Sequence, residues 1–202
     1  MKIICIGRNY ALHAKELGNE IPDEPVIFLK PDTAILKDNQ AFYLPSNLGS
    51  VHHELELIVK INKPGKKIAK NFASKYYSEI SVGIDFTARD KQNWLKSKGL
   101  PWELAKSFDH SAIIGQWISK DNLDLNNLEI ELIKSGQVVQ KGNSNQMMNN
   151  IDDIISFVSQ YFTLKTGDII FTGTPEGVGE VNIGDRLKGY LNGKELFNFE
   201  VK

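Results

Sequence analysis

Short apolar runs, each closed by glycine, proline or asparagine, recur along this sequence. Such punctuation limits most elements to short strands, because proline cannot donate to a ladder and glycine sets tight turns. Lys2–Ile6 reads as a buried strand stopping at Gly7, and Val26–Leu29 as another ended by Pro31. His52–Lys60 and Ile80–Phe86 are stronger strand candidates, and Lys165–Phe171 precedes a glycine-rich segment reaching Gly179. Leu128–Ile133 and Val138–Lys141 flank Ser135-Gly136, a hairpin signal, and Asn192-Gly193 is a second one near the C-terminus, beyond Gly184-Asp185. Helical periodicity is clear only over Ile151–Phe162, where Ile151, Ile154, Ile155, Val158 and Phe162 share a face behind a capping Asn149 or Asn150. Ala11–Leu17, Ala69–Tyr76 and Asp90–Lys98 are expected as shorter helical pieces. Regular βαβ alternation is missing, which excludes a doubly wound sheet and indicates a strand-rich α+β protein.

The 202 residues fit one catalytic domain spanning 1–202, and 41% apolar residues suffice for a core. A formal charge of −1 offers no basic field for coating nucleic acid. Cys5 is the one cysteine, so neither an internal disulfide nor a multi-thiolate zinc site is expected. It sits in Ile3-Ile4-Cys5-Ile6 and reads as a small core residue. No run approaches the roughly 18 apolar residues of a membrane span, and the N-terminal run is too short for a secretion signal. Patterned sequence begins at Lys2, unlike a transit peptide, and a reducing cytoplasmic location is expected.

Residues two apart on a strand face one way, so Glu54 and Glu56 project together, with His52 on the same side. Adjacent carboxylates near a core repel, and a hard divalent cation removes that penalty; a solvated strand end is the plain alternative. Asp85 interrupts the apolar run Val82–Phe86 and needs a partner, either a cation site or an ion pair with Arg89 or a lysine. Arginine occurs only at positions 8, 89 and 186, so Arg8 and Arg89 beside candidate segments suggest a need for planar, multi-donor groups. His13 and Glu16 stand at i, i+3, where a carboxylate can orient an imidazole as a general base, although surface pairs of this kind are common. Thr172–Gly179 could turn backbone N–H groups toward an anion or be a plain glycine-rich turn, and it matches neither a Walker loop nor a dinucleotide fingerprint. Lys106, in Ala105-Lys106-Ser107-Phe108, could add a positive charge in a partly apolar setting.

Taken in order, these segments resemble the fumarylacetoacetate hydrolase family, and most closely its short acylpyruvase and oxaloacetate-decarboxylase branch. The resemblance is carried by Gly7–Glu16, Phe28-Leu29-Lys30-Pro31, His52–Leu57, Asp85–Asp90, Lys98–Trp102, Leu104–Asp109 and Gly167–Gly179. It implies mixed β-sheets rolled around a core with few short helices, usually as a homodimer. It implies Mg²⁺ (or Mn²⁺) held by Glu54, Glu56 and Asp85, with His52 outside the ligand set. It also implies a His13–Glu16 catalytic dyad on a mobile lid, residues 9–25. Lys106 would offset oxyanion or enolate charge, and Arg8, Gln92, Gly173 and Thr174 would contact substrate or support the site.

The expected activity is divalent-metal-dependent hydrolysis of the C–C bond of a small 2,4-dioxo acid. Its 2-oxo acid end would chelate the metal, and His13 would activate water. Oxaloacetate decarboxylation at the same metal, which stabilises the same enolate once CO₂ leaves, or keto–enol tautomerisation, a close relative needing proton transfer without bond cleavage, is the alternative. A non-catalytic protein holding a metal or an anion is the third reading. No nucleic-acid or membrane partner is expected.

Overall fold

The computed structural model describes residues 1–16, 18, 20–36 and 40–202. Its strands run in chain order as β1 (Ile3–Gly7), β2 (Val26–Lys30), β3 (Ile35–Leu36), β4 (Val51–His53), β5 (Leu55–Ile61), β6 (Tyr77–Asp85), β7 (Thr87–Ala88) and β8 (Ala112–Ile114). They continue with β9 (Ile118–Ser119), β10 (Glu129–Lys134), β11 (Gln137–Asn143), β12 (Ile169–Phe171), β13 (Gly179–Glu180), β14 (Arg186–Leu191) and β15 (Lys194–Glu200). The helices are α1 (Ala11–Glu16), α2 (Lys70–Ala73), α3 (Arg89–Ser97), α4 (Glu103–Lys106) and α5 (Ile151–Tyr161). The strand-rich α+β class of mixed sheets is therefore observed, with the sheets curled as a half-barrel. No helix among the described residues is long and apolar enough to cross a membrane.

Three sheets share the described strands. The largest has the order β2-β1-β12-β5-β6-β8-β3, with β9 also pairing β6. Parallel pairs join β1 to β12 and β3 to β8, and the other pairs are antiparallel. The order β11-β10-β14-β15 makes a second sheet, and β13-β4-β7 a small third one. Ile4, Ile6, Leu57, Val59, Val82 and Ile84 of the large sheet enter one cluster with Ile130 and Leu132 of β10 and with Ile154, Ile155 and Val158 of α5. Cys5 lies in a second apolar cluster, as its surroundings led one to expect.

The two hairpins form where the turn signals stand. Asn192 and Gly193 both take positive φ, at 48° and 77°, the conformation a two-residue turn between β14 and β15 requires. Helix α5 ends at Tyr161, and Asn150 caps it by accepting the Asp153 N–H at 3.0 Å. Asn149 is used elsewhere, on Asn9. Only part of Ala69–Tyr76 is α-helix, and a 3₁₀ turn completes it. The end of the expected Ala11–Leu17 helix and part of the expected lid, at residues 17 and 19, lie outside the described residues.

The expected strand His52–Lys60 is two strands. β4 belongs to the small sheet and β5 to the large one, with Glu54 at the junction. The opposite chain divides in the same way at Phe86, between β6 and β7. Yet the register runs on across the bend: Leu55 faces Ile84 on one side, and His52 faces Thr87 on the other. A single antiparallel ribbon thus leaves one sheet and enters another. Phe86 anchors the bend, fully buried, stacked on Phe42 at 4.1 Å between ring centroids and edge-on to Phe199 at 6.2 Å. Truncating a buried phenylalanine costs about 3–5 kcal/mol through lost transfer energy and a residual cavity. Phe86→Ala is expected to lose that much in urea denaturation, and a loss under about 1 kcal/mol would show that the bend does not depend on this stack.

Candidate active site

The bend places three acids on one face. Glu54 and Asp85 face each other across the ribbon, where the Asp85 N–H donates to the Glu54 carbonyl at 2.9 Å. Glu56 follows two residues along β5. One carboxylate oxygen from each of Glu54, Glu56 and Asp85 lies within 4.8 Å of the others, and all three side chains are buried. Like charges set opposite one another destabilise a ribbon, and burial deepens the penalty. Cations from outside the ribbon offset it. The Lys106 Nζ, at the end of α4, donates to Glu54 Oε2 at 2.8 Å, Asp85 Oδ2 at 2.6 Å and Thr87 Oγ1 at 2.6 Å. Arg89, at the start of α3, donates to Glu54 Oε1 and, at 2.7 Å, to Gln92 Oε1. Lys30, the last residue of β2, stands with Nζ 2.8 Å from Asp85 Oδ1, off the hydrogen-bonding direction. Its ammonium donates instead to Ser111 Oγ at 2.9 Å and to the carbonyl of Lys106.

The three acids are not equivalent. Burial works to raise Glu54, but Lys106 and Arg89 outweigh it and hold its carboxyl well below the usual range. Burial also works against the Lys106 ammonium, and Asp85 and Glu54 more than restore it. Glu56 is pushed well up, by burial first and then by the charges of Asp85 and Glu54. Its side chain accepts the Gly173 N–H at 2.6 Å. An all-oxygen donor set with one carboxylate left under-compensated suits a hard divalent cation, which would supply the charge that Lys106 delivers to Glu56 only in part.

His13 and Glu16 come together on α1, with His13 Nδ1 3.1 Å from Glu16 Oε2. The other oxygen, Glu16 Oε1, accepts the Gly177 N–H at 3.0 Å. A carboxylate can only accept, so Nδ1 carries a proton, and in the neutral ring Nε2 is the acceptor. Asn9 fixes the root of this helix: its amide donates to the carbonyls of Thr172 at 2.8 Å and Asn149 at 2.9 Å, and its Oδ1 accepts the Asn149 N–H at 2.8 Å. A pocket of about 450 Å³, counting its open mouth, is lined by Arg8, His13, Gln92, Lys96, Lys106 and Thr174 together with the three acids. Ile6, Phe28 and Trp102 form its apolar wall. Arg8 holds φ at 58°, a left-handed conformation in which few arginines settle.

The sequence-selected residues thus converge, with two differences. The loop amides do not stand open for an anion: those of Gly173 and Gly177 serve the chain's own Glu56 and Glu16. Gly173 does not line the pocket, whereas Thr174 does. Of the partners open to Asp85, the structure selects lysines, Lys30 and Lys106, while Arg89 pairs with Glu54. His52 stands outside the acid cluster and lines a neighbouring cavity, because the ribbon bends between it and Glu56. Sequence reading assigned no role to Lys30, although a charge closing an apolar run is the signal that singled out Asp85. Gln140 of β11 also escaped notice, and nothing in its local sequence marks it.

Comparison with known proteins identifies the family and the fold. The family model described as "Fumarylacetoacetate (FAA) hydrolase C-terminal" matches residues 2–201. A mitochondrial oxaloacetate decarboxylase of Dictyostelium discoideum is 44% identical over 194 residues, 95% of this chain and 89% of the relative. An oxaloacetate tautomerase of Escherichia coli (strain K12) is 40% identical over 197 residues, 96% of this chain and 90% of the relative. Among solved structures, fumarylpyruvate hydrolase from Pseudomonas aeruginosa in complex with Mn²⁺ and pyruvate superposes with a TM-score of 0.93 at 36% identity, covering 100% of this chain and 89% of that one. By its sequence over nearly its whole length, and by its fold, this chain belongs to the fumarylacetoacetate hydrolase family.

Proposed function

We propose that this protein is a divalent-metal-dependent enzyme of 2-oxo acids whose main substrate is oxaloacetate, with keto–enol tautomerisation as its principal reaction. The observation that carries this reading is the placement of three buried carboxylates and an oriented histidine on one small pocket. Relatives named for oxaloacetate chemistry support the substrate, and they move oxaloacetate ahead of the C–C hydrolysis expected from sequence. The pocket's charge supports it as well: Arg8, Arg89, Lys96 and Lys106 line it against Glu54, Glu56 and Asp85. With a divalent cation added, that balance favours a substrate carrying two negative charges.

Glu54, Glu56 and Asp85 would hold Mg²⁺ or Mn²⁺, which when bound supplies Lewis-acid polarisation of the 2-oxo acid. His13 Nε2, with Nδ1–H held by Glu16, takes a proton from C3 of the substrate. The imidazolium that results is stabilised by the Glu16 carboxylate, and its Nε2 proton, returned to the 2-oxo oxygen directly or by exchange through water, completes the enol and restores the base. Lys106 faces the same acids and offsets negative charge growing on that oxygen. Phe28 and Trp102 keep bulk water from the reacting carbons. Decarboxylation uses the same electron sink but needs no base at C3, since the leaving group is CO₂. Hydrolysis of an acylpyruvate is the second reading, favoured by the likeness to a fumarylpyruvate hydrolase, and there His13 would take its proton from water. A homodimer belongs to the same proposal.

A panel of oxaloacetate, acetylpyruvate and fumarylacetoacetate separates these readings. With Mg²⁺ or Mn²⁺ the purified protein is expected to interconvert oxaloacetate enol and keto forms faster than it cleaves either dioxo acid, and EDTA is expected to return all rates to background. Rapid cleavage of acetylpyruvate with no effect on oxaloacetate would reverse the assignment. His13→Ala is expected to lower tautomerisation by about 10²–10⁴-fold, the usual contribution of a positioned base, while oxaloacetate still binds with metal. Undiminished tautomerisation in that variant would remove His13 from the role.

A further inference from the structure

We propose that Gln140 is a positioning residue that fixes the carboxylate triad by clamping the ribbon bend at Glu54 to the Thr172–Gly179 loop. The inference rests on the reading of Glu54, Glu56 and Asp85 as a divalent-cation site, and it concerns how that site is held.

Gln140 sits on β11, in a sheet that contributes none of the three acids. Its side chain is buried and fully bonded. Oε1 accepts the Leu55 N–H at 2.9 Å and faces His53 Nδ1 at 2.9 Å. Nε2 donates to Thr174 Oγ1 at 2.9 Å and to the Pro175 carbonyl at 3.1 Å. The orientation of the amide follows from its partners: a backbone N–H can only donate and a backbone carbonyl can only accept. His53 must therefore carry its proton on Nδ1.

Each arm ends on a neighbour of a site group. The Leu55 N–H belongs to the peptide that follows Glu54, at the point where the ribbon changes sheets. Thr174 lines the pocket, and Gly173 beside it holds Glu56. One amide thus joins the Glu54 backbone to the loop that orients Glu56. All four bonds leave the sheet of β11 and end on the bent ribbon or on the Thr172–Gly179 loop. There is also no slack for the arms to be replaced by a shift of β11. A Cβ at Gly142 would meet Pro175 at 2.8 Å, and one at Gly177 would meet the Val139 carbonyl oxygen at 2.4 Å. The loop and β11 are already in direct contact there.

Partners that orient metal ligands are worth about 10–100-fold in metal affinity. The test is Mn²⁺ binding to the full chain, followed by the electron paramagnetic resonance signal of free Mn²⁺, with melting temperatures recorded alongside. Gln140→Leu removes all four bonds and is expected to weaken Mn²⁺ by at least 10-fold. Gln140→Asn keeps an amide but is one methylene too short to span both arms, and it is expected to weaken Mn²⁺ in the same direction; it decides the question if the leucine variant does not fold. Ser159→Ala, which removes from α5, a helix that lines no part of the pocket, a buried hydroxyl bonded to the Ile68 N–H, is the control: it should lower the melting temperature and leave Mn²⁺ affinity unchanged. Affinity within about 2-fold of wild type in a folded Gln140 variant overturns the proposal, as does an equal loss in Ser159→Ala. A wild-type chain that binds no Mn²⁺ overturns the cation reading itself, and this inference falls with it.

Discussion

Two like charges buried face to face organise this molecule. Glu54 and Asp85 are opposed across a ribbon that bends between two sheets, and Glu56 lies beside them. Leaving such groups unpaired in a core costs about 3–5 kcal/mol for each broken contact. The fold brings Lys30 to them from the distant β2, and Arg89 and Lys106 from the neighbouring helices α3 and α4. The pairing answers Glu54 and Asp85 directly and leaves Glu56 with a backbone N–H as its donor. That residual imbalance is the physical reason a divalent cation fits this place.

The glycine-rich segment after β12 has a supporting role rather than the anion-cradling one its composition suggested. Gly173 holds Glu56 and Gly177 holds Glu16, so one loop orients both a candidate metal ligand and the carboxylate of the dyad. Gly173 must be glycine because its φ is 101° and a Cβ would lie 2.7 Å from that of Asn9. Asn9 in turn ties the loop's first residue to the root of α1. Acid cluster, loop and dyad are therefore mechanically continuous, which is what a pocket needs when a base and an electron sink must reach one small substrate together.

This coupling also explains how closely related chains can be named for different reactions. Tautomerisation, decarboxylation and C–C hydrolysis each need the 2-oxo acid end gripped and an enolate stabilised. They differ in whether the histidine meets a C–H or a water, and in what leaves. The shared demand is one for charge, and the buried acids line the same pocket as Phe28, Trp102, Arg8 and Lys96.

Much of the architecture was legible in the sequence because short-range chemistry decides it. Strand alternation put Glu54 and Glu56 on one face, the apolar run around Asp85 marked that carboxylate as one requiring a partner, i, i+3 spacing joined His13 to Glu16, and the Asn192-Gly193 turn needed only local backbone preference. The break at Glu54 was not legible, since a bent ribbon and a straight one share the same alternation. Nor were the partners: Arg89 and the lysines compete for the same acids, and only the packing of α3, α4 and β2 against the bend assigned Arg89 to Glu54 and Lys30 to Asp85. Gln140 lies 85 residues from the N–H it accepts, a separation at which sequence carries no geometric information. By itself the sequence determined that Glu54 and Glu56 project to one side and that Asp85, set in an apolar run, requires a partner, because local periodicity fixes the direction of a side chain. The tertiary structure alone decided which cation answers which acid, because that depends on distances set by the whole fold.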